Sequence, residues 1–364
     1  MVFISAIIAG HFIGIKEASP NEYLWDIDLP LVNLFSRWDT GYYAQIAISG
    51  YPSGSNPLAM HWAWFPLFPI IMGAVGRLFF GILPAVEAVM LAGFLINNIL
   101  FFVCLILFYK LTEMIFGNKK LALLSSVFFS FWPGSLFYSS VYSESLFMTL
   151  ALGAFYFLEK GKEVKSTLLG FFAGLTRSTG LVLVVPYLYN FFKKRSNSSF
   201  YQVLFVSLPY LLFNFYGNIY TGVFPVQAVV FRQYWGNPSF FIVQMFEIEY
   251  YYAILFFIEF CLILVPFIYL FLSKELLVSV FSFGLKGDRK EAKYFGFSLV
   301  QLIFLLFFGI IANVHRYAIP ILPLYWVFAR LWIKKPKLGL ISLALMISLL
   351  IIGTILFSTW RWYW

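Results

Sequence analysis

Apolar runs close to the ~20 residues that carry a helix across a bilayer recur from end to end of this chain, and short polar segments separate them. The runs predict helices over 85–115, 201–217, 250–272, 294–312, 317–333 and 338–357. Two hairpins are predicted between them. One lies between Lys120 and Lys160, with "GSLFYSSVYSES" as its turn. The other lies between Lys165 and Lys193, with "LTRSTG" at its tip and limbs short enough to be buried half-helices. Residues 1–15 lack the basic n-region and small-residue cleavage site of a signal peptide, so they read as a retained, short first helix. The stretch "WFPLFPIIMGAVGRLFFG" carries two prolines and Arg77, which suits an interfacial or re-entrant position better than a clean span.

The polar segments set the sidedness. Sixteen of the 25 Lys and Arg fall in five clusters, at 119–120, 160–165, 193–195, 274–293 and 334–337. Such clusters mark cytoplasmic loops. If all five lie inside, parity gives about eleven crossings with the N-terminus inside and the C-terminus outside. The expected organisation is one integral-membrane domain over 1–364. Residues 16–84 form a first external loop with juxtamembrane helices, 85–333 the core helices, and 334–364 a C-terminal helix whose aromatic "STWRWYW" sits at the outer interface.

Composition agrees with this architecture. The chain is 62% hydrophobic and 11% charged, whereas soluble domains carry about 25% charged residues. In lipid every backbone amide must be satisfied within its own segment, so the class is an all-α polytopic membrane bundle. The net charge of +9 follows topology and attraction to anionic membrane lipids, with no nucleic-acid partner implied. Cys104 and Cys261 both fall in apolar runs and imply neither disulfide nor metal. The three histidines show no metal-ligand spacing, and no phosphate-cradling glycine loop is present.

The same parity places a set of isolated polar residues on one outer face: Arg37, Asp39, Glu144, Arg177, Arg232, His315 and Arg316. Five of the sixteen acidic residues (Glu17, Glu22, Asp26, Asp28, Asp39) share the first external loop. Residues 37–48 read as a short helix with Trp38, Tyr42, Ile46 and Tyr43 on its apolar side. Asp39 beside that stripe is either a carboxylate stabilised by the helix dipole or a general base at the membrane surface. Glu144 is either a helix-start acid after Ser143 or an ionisable group held at depth for function. Arg177 and Arg316 stand where a guanidinium can grip a phosphate with two hydrogen bonds.

The blocks "RWDTGYYAQIAISGY", "WAWFPLFP", "YSESLF", "GLTRSTGLVLV" and "HRYAIPILPLYW", in that order, resemble the PIG-V family, the second mannosyltransferases of GPI-anchor synthesis and members of the GT-C glycosyltransferases. The loop "TGVFPVQAVVFRQYWG" is similar to a further family stretch, with a Val-Phe pair before Pro225. Arg37 stands where the family often has His, and Thr179 where it has Asn. The resemblance implies a GT-C-type bundle and an inverting transfer of a sugar, mannose on a dolichyl-type carrier, from a polyprenyl-phosphate donor to a lipid or glycan acceptor at the extracytoplasmic face of the cell membrane. It implies Asp39 as the base that activates the acceptor hydroxyl and matches Glu144 to the second acidic motif. Tyr142, which opens its block, joins Arg37, Arg177, Arg232, His315 and Arg316 as the donor-binding set. No cofactor is required by any motif, and assistance by a divalent cation is left open. The rival reading is a polytopic lipid or solute transporter or flippase, which internal repeats and ionisable groups at mid-span would favour.

Overall fold

The computed structural model describes residues 1–14, 27–52, 58–235, 250–286, 289–308 and 313–361. Glu17, Glu22, Asp26 and the last three residues of the aromatic terminus lie outside them. Among the described residues the chain forms helices and no strand: α1 (Val2–Phe12), α2 (Pro30–Leu34), α3 (Thr40–Ser49), α4 (Leu67–Gly76), α5 (Ala85–Phe116), α6 (Lys119–Ser130), α7 (Glu144–Glu159), α8 (Glu163–Gly174) and α9 (Val184–Lys194). These are followed by α10 (Asn197–Thr221), α11 (Val226–Trp235), α12 (Tyr250–Leu272), α13 (Lys274–Phe281), α14 (Ala292–Phe308), α15 (Val314–Tyr317), α16 (Leu322–Lys334) and α17 (Pro336–Ser358).

Four of these, α5, α10, α12 and α17, are long and apolar enough to cross a bilayer. The remaining helices are shorter. The expected hairpin of 165–193 is built from α8 and α9, of 12 and 11 residues. Each rises only about 16–18 Å at 1.5 Å per residue, against a hydrocarbon core of about 30 Å. The proline-containing stretch after Trp64 forms the ten-residue α4, which packs between α3 and α5.

Local signals explain where helices stop. Pro84 precedes α5, and Gly117 ends it in the left-handed region at φ 63°, a conformation that costs glycine nothing. The next residue, Asn118, starts α6 by accepting a hydrogen bond from the Leu121 N–H at 2.9 Å. The turn therefore falls on the Lys119–Lys120 cluster. Ser196 and Ser199 form a reciprocal cap at the start of α10, again just after a basic cluster.

Helix α5 lies along α4, α6 and α7, α7 along α8, α8 along α10, and α6 along α16, while α1 packs on α17. Aromatic rings fill the seam between α5, α6 and α16. Phe108 stacks on Phe129 at 4.8 Å, Tyr325 meets Phe129 edge-on at 4.9 Å, and the Trp326 indole donates to Thr112 Oγ1 at 2.9 Å. The bundle thus holds the ends of α6, α7 and α16 in fixed relation, and the polar turns at those ends converge.

Candidate active site

Four connecting segments meet at one end of the bundle: the turn before α3, the turn before α7, the turn between α8 and α9, and α15. The turn before α7, a 3₁₀ segment from Pro133 to Tyr138 and the residues after it, is the hub. Asn97, in the middle of α5 and fully buried, donates through Nδ2 to the carbonyls of Ser140 and Tyr142, the latter at 2.7 Å. The Val141 N–H donates to the Phe35 carbonyl at 3.0 Å. The Trp132 indole donates to the His315 carbonyl at 2.7 Å. Gly134 permits that approach, because a Cβ there would sit 2.3 Å from the same carbonyl oxygen.

On this frame the four candidate charges form a chain. Arg316 Nη1 donates to Asp39 Oδ2 at 2.8 Å. Arg316 Nε and Arg177 Nη1 both donate to Glu144 Oε1. Asp39, Glu144 and Arg316 are buried. Arg316 also lies over the Tyr142 ring, 4.5 Å from its centroid, and over Phe137 at 5.1 Å. Burial works against the charge on Arg316, but Glu144 and Asp39 outweigh it and hold the guanidinium protonated.

Neither carboxylate behaves as a helix cap. Asp39 occupies the N-cap position of α3 and makes no side-chain bond to the helix. Glu144 opens α7 and spends Oε1 on the two arginines. Its Oε2 is buried and has no hydrogen-bond partner among the described residues. Ser143, at the N-cap of α7, likewise makes no cap and shares a hydrogen bond of 2.9 Å with Tyr43 Oη. Buried ion pairs rarely repay their desolvation, so this cluster is a poor stabiliser and a good candidate for chemistry. Among the described residues no group of three or more His, Cys, Asp and Glu comes together; arginines balance the two carboxylates.

Backbone around Asp39 is held just as firmly. Tyr142 Oη donates to the Arg37 carbonyl at 3.0 Å and accepts from the Asp39 N–H at 3.3 Å. Thr40 Oγ1 donates to the Arg37 and Val141 carbonyls. Trp38, directly before Asp39, has φ 56°, a left-handed conformation that costs a non-glycine residue of order 1 kcal/mol or more. Its ring meets Trp360 at 4.7 Å.

The cluster lines an open cleft at this end of the bundle. Asp39, Arg177 and Arg316 reach it, together with Tyr43, Ser143 and Trp64. Burial and then Glu144 push the Tyr43 phenol up, so it is a neutral hydroxyl there. Sequence reasoning did not single out Tyr43, Ser143 or Asn97. The adjacent amides Asn97 and Asn98 in the middle of an apolar span were the available signal for Asn97.

The remaining expected residues lie elsewhere. Arg37 is 2% exposed, and its guanidinium bonds to Asn33 Oδ1 at 2.8 Å and the Ser358 carbonyl at 3.2 Å. It therefore ties α2 to the end of α17. His315 adjoins Arg316, but its ring stacks on Phe137 and bonds Glu259 Oε2 at 2.9 Å. Arg232 is exposed on α11 and does not line the cleft.

Comparison with known proteins gives one family match and a shared fold. The family model described as Mannosyltransferase (PIG-V) matches residues 16–284, a span that includes Asp39, Glu144 and Arg177. The chain is 30% identical over 205 residues to GPI alpha-1,6-mannosyltransferase 2 of Cricetulus griseus, a match covering 51% of this chain and 40% of that protein. To the Homo sapiens protein of the same name it is 27% identical over 218 residues, 54% of this chain and 43% of that one. The matches thus span about two fifths of those relatives. Among solved structures, the Archaeoglobus fulgidus oligosaccharyltransferase bound to an inhibitory peptide and a dolichol-phosphate superposes with a TM-score of 0.51. That likeness covers 98% of this chain and 55% of the other at 10% identity, and it is a likeness of fold.

Proposed function

The chain belongs to the PIG-V mannosyltransferase family, and from that premise we propose that it is an inverting GT-C glycosyltransferase that moves mannose from a polyprenyl-phosphate donor to the hydroxyl of a lipid or glycan acceptor. The observation that carries the reading is the Asp39–Arg316–Glu144–Arg177 chain at the wall of the cleft. Glycosyl transfer from a phosphate needs a base on one side of the anomeric carbon and cationic support for the leaving phosphate on the other. This cluster offers both within one side chain's reach.

Asp39 takes the proton of the acceptor hydroxyl through a carboxylate oxygen as the acceptor oxygen bonds to the anomeric carbon. The bond from that carbon to the phosphate oxygen breaks, and its electron pair leaves with the polyprenyl phosphate. Arg316 and Arg177 stabilise the charge that grows on the phosphate, and fixed donors of this kind need no reorganisation at the moment of reaction. Glu144 orients both guanidiniums and Tyr142 supports one from below. A single displacement inverts the anomeric centre. The extracytoplasmic placement of the cleft is part of the proposal and rests on the basic clusters, which fall on turns of the chain other than those that build the cleft.

The test is transfer from labelled polyprenyl-phosphate mannose in purified membranes. Asp39→Asn is isosteric and keeps a neutral partner for Arg316, so the protein should still fold. Its rate should fall by at least about 10², the low end for a positioned acid or base. Wild-type turnover in that variant would remove Asp39 from the role.

A further inference from the structure

At the other end of α6 and α16, away from the cleft, lies a second recess. It is open and lies between the α5–α6 turn, α12 and the end of α16. Among the described residues its charged lining is Arg330 and Lys334, with no acidic residue, and Phe116, Leu121 and Ile333 supply apolar wall. Arg330 is half-buried. Its guanidinium sits between the rings of Phe116, at 4.7 Å, and Tyr269, at 5.5 Å. It donates to Tyr269 Oη at 2.6 Å.

This arginine differs from others in the chain. Arg177, Arg289 and Arg316 each meet a carboxylate. Among the described residues Arg330 meets none, and a single phenol hydroxyl uses one of its five N–H donors. A half-buried guanidinium held in place by two aromatic faces, with its charge uncompensated and donors to spare, is built to receive an anion. Lys119, Lys120 and Lys335 lie within two residues of Asn118 and Lys334, which line the recess, and add further basic charge at this end of the bundle.

We propose that the recess between Phe116, Tyr269, Arg330 and Lys334 binds a phosphate, carried there by the headgroup of an anionic phospholipid. Phosphate fits because its oxygens match the planar fork of Arg330 while Lys334 adds a point charge. A lipid is favoured over a soluble ion because the recess opens between helices at the basic end of the bundle and its wall is apolar. Acyl chains can lie along the exposed Ile333 and the half-buried Phe116 as the phosphate reaches Arg330. Basic recesses between membrane helices are a known physical solution for such headgroups. The inference does not depend on what the cleft transfers.

The experiment is titration of the purified full-length protein in neutral detergent with phosphatidylglycerol, and separately with phosphatidylcholine, reading bound lipid by native mass spectrometry. Phosphatidylglycerol should bind at least about tenfold better, the effect of one or two charge-assisted hydrogen bonds. Arg330→Gln should bring it down to the phosphatidylcholine level, while Arg232→Gln, exposed on α11 and lining neither the cleft nor the recess, should leave it unchanged. Undiminished phosphatidylglycerol preference in a folded Arg330→Gln protein overturns the proposal, as does equal loss in Arg232→Gln. If Arg330→Gln does not fold, Lys334→Gln carries the test, with about a fivefold loss expected and none overturning it. Inorganic phosphate is the last probe. Displacement of the lipid only at far higher phosphate concentration supports the lipid headgroup, and displacement at matching concentration overturns it in favour of the soluble ion.

Discussion

Arg316 and Asp39 are 277 positions apart in the chain and 2.8 Å apart in the protein, Nη1 to Oδ2. The pair closes a chain of alternating charge that continues through Glu144 to Arg177. Everything proposed for the cleft depends on how these four side chains share their hydrogen bonds.

Breaking the chain at Arg316 should separate stability from activity. Arg316→Met leaves the buried Asp39 without its cation, while Glu144 keeps Arg177; breaking a buried pair from one side costs about 3–5 kcal/mol. Adding Asp39→Asn removes the stranded charge. The double variant should melt above the single one in detergent while both remain inactive in sugar transfer. A double variant no more stable than Arg316→Met would show that this ion pair does not govern folding here.

Tyr142 makes two separable contributions. Tyr142→Phe loses the bonds to the Arg37 carbonyl and the Asp39 N–H and should cost about 1 kcal/mol. It keeps the ring beneath Arg316. Tyr142→Leu loses that face as well, worth about another 1–2 kcal/mol when desolvated, and should raise the donor KM more than Tyr142→Phe does. Thermal unfolding and donor titration read the two effects. Identical kinetics for both substitutions would rule the aromatic face out.

Gly134→Ala is a test of the frame. The new methyl would meet backbone, the His315 carbonyl at 2.3 Å, so no side chain can rotate away to relieve it. Overpacking of this kind costs about 1–3 kcal/mol, and it should shift α15 and Arg316 with it. We expect a lower melting temperature together with reduced transfer. Normal activity in a destabilised Gly134→Ala protein would mean that Arg316 is positioned by other contacts.

His61 gives the loop beside the cleft a pH dependence. Its ring bonds Gln45 Oε1, and burial lowers its pKa below the ordinary 6.5. The folded state therefore holds fewer protons than the unfolded state just below pH 6.5. The linked stability is intact above that value and is lost as pH falls toward the folded pKa. The difference in melting temperature between wild type and His61→Gln should narrow or reverse on going from pH 7.5 to pH 5. A constant difference over that range would show that His61 does not change protonation on unfolding.

Legibility in the sequence followed the range of the interactions concerned. The turn between α5 and α6 is written in four consecutive residues, Gly117 to Lys120, because a left-handed glycine and an asparagine cap act locally. The long apolar spans were equally plain, since hydropathy acts residue by residue. Crossing number was less so. Helices α8 and α9 have the expected positions, but their depth depends on what packs around them.

For the cleft, the sequence by itself determined that acidic and basic residues would be isolated at polar turns of an apolar bundle, and it named Asp39, Glu144, Arg177 and Arg316. Only the tertiary structure decided which of the candidates face one another. Arg37, beside Asp39 in sequence, turns away to Asn33 and Ser358, whereas Arg316, from a distant turn, takes its place. The same structure turned Ser143 to Tyr43 instead of its own helix and left Arg232 at the surface. The reason is physical: composition and hydropathy are summed along the chain, but a guanidinium's partner is set by which helix ends the packed rings and the glycine at 134 allow to meet.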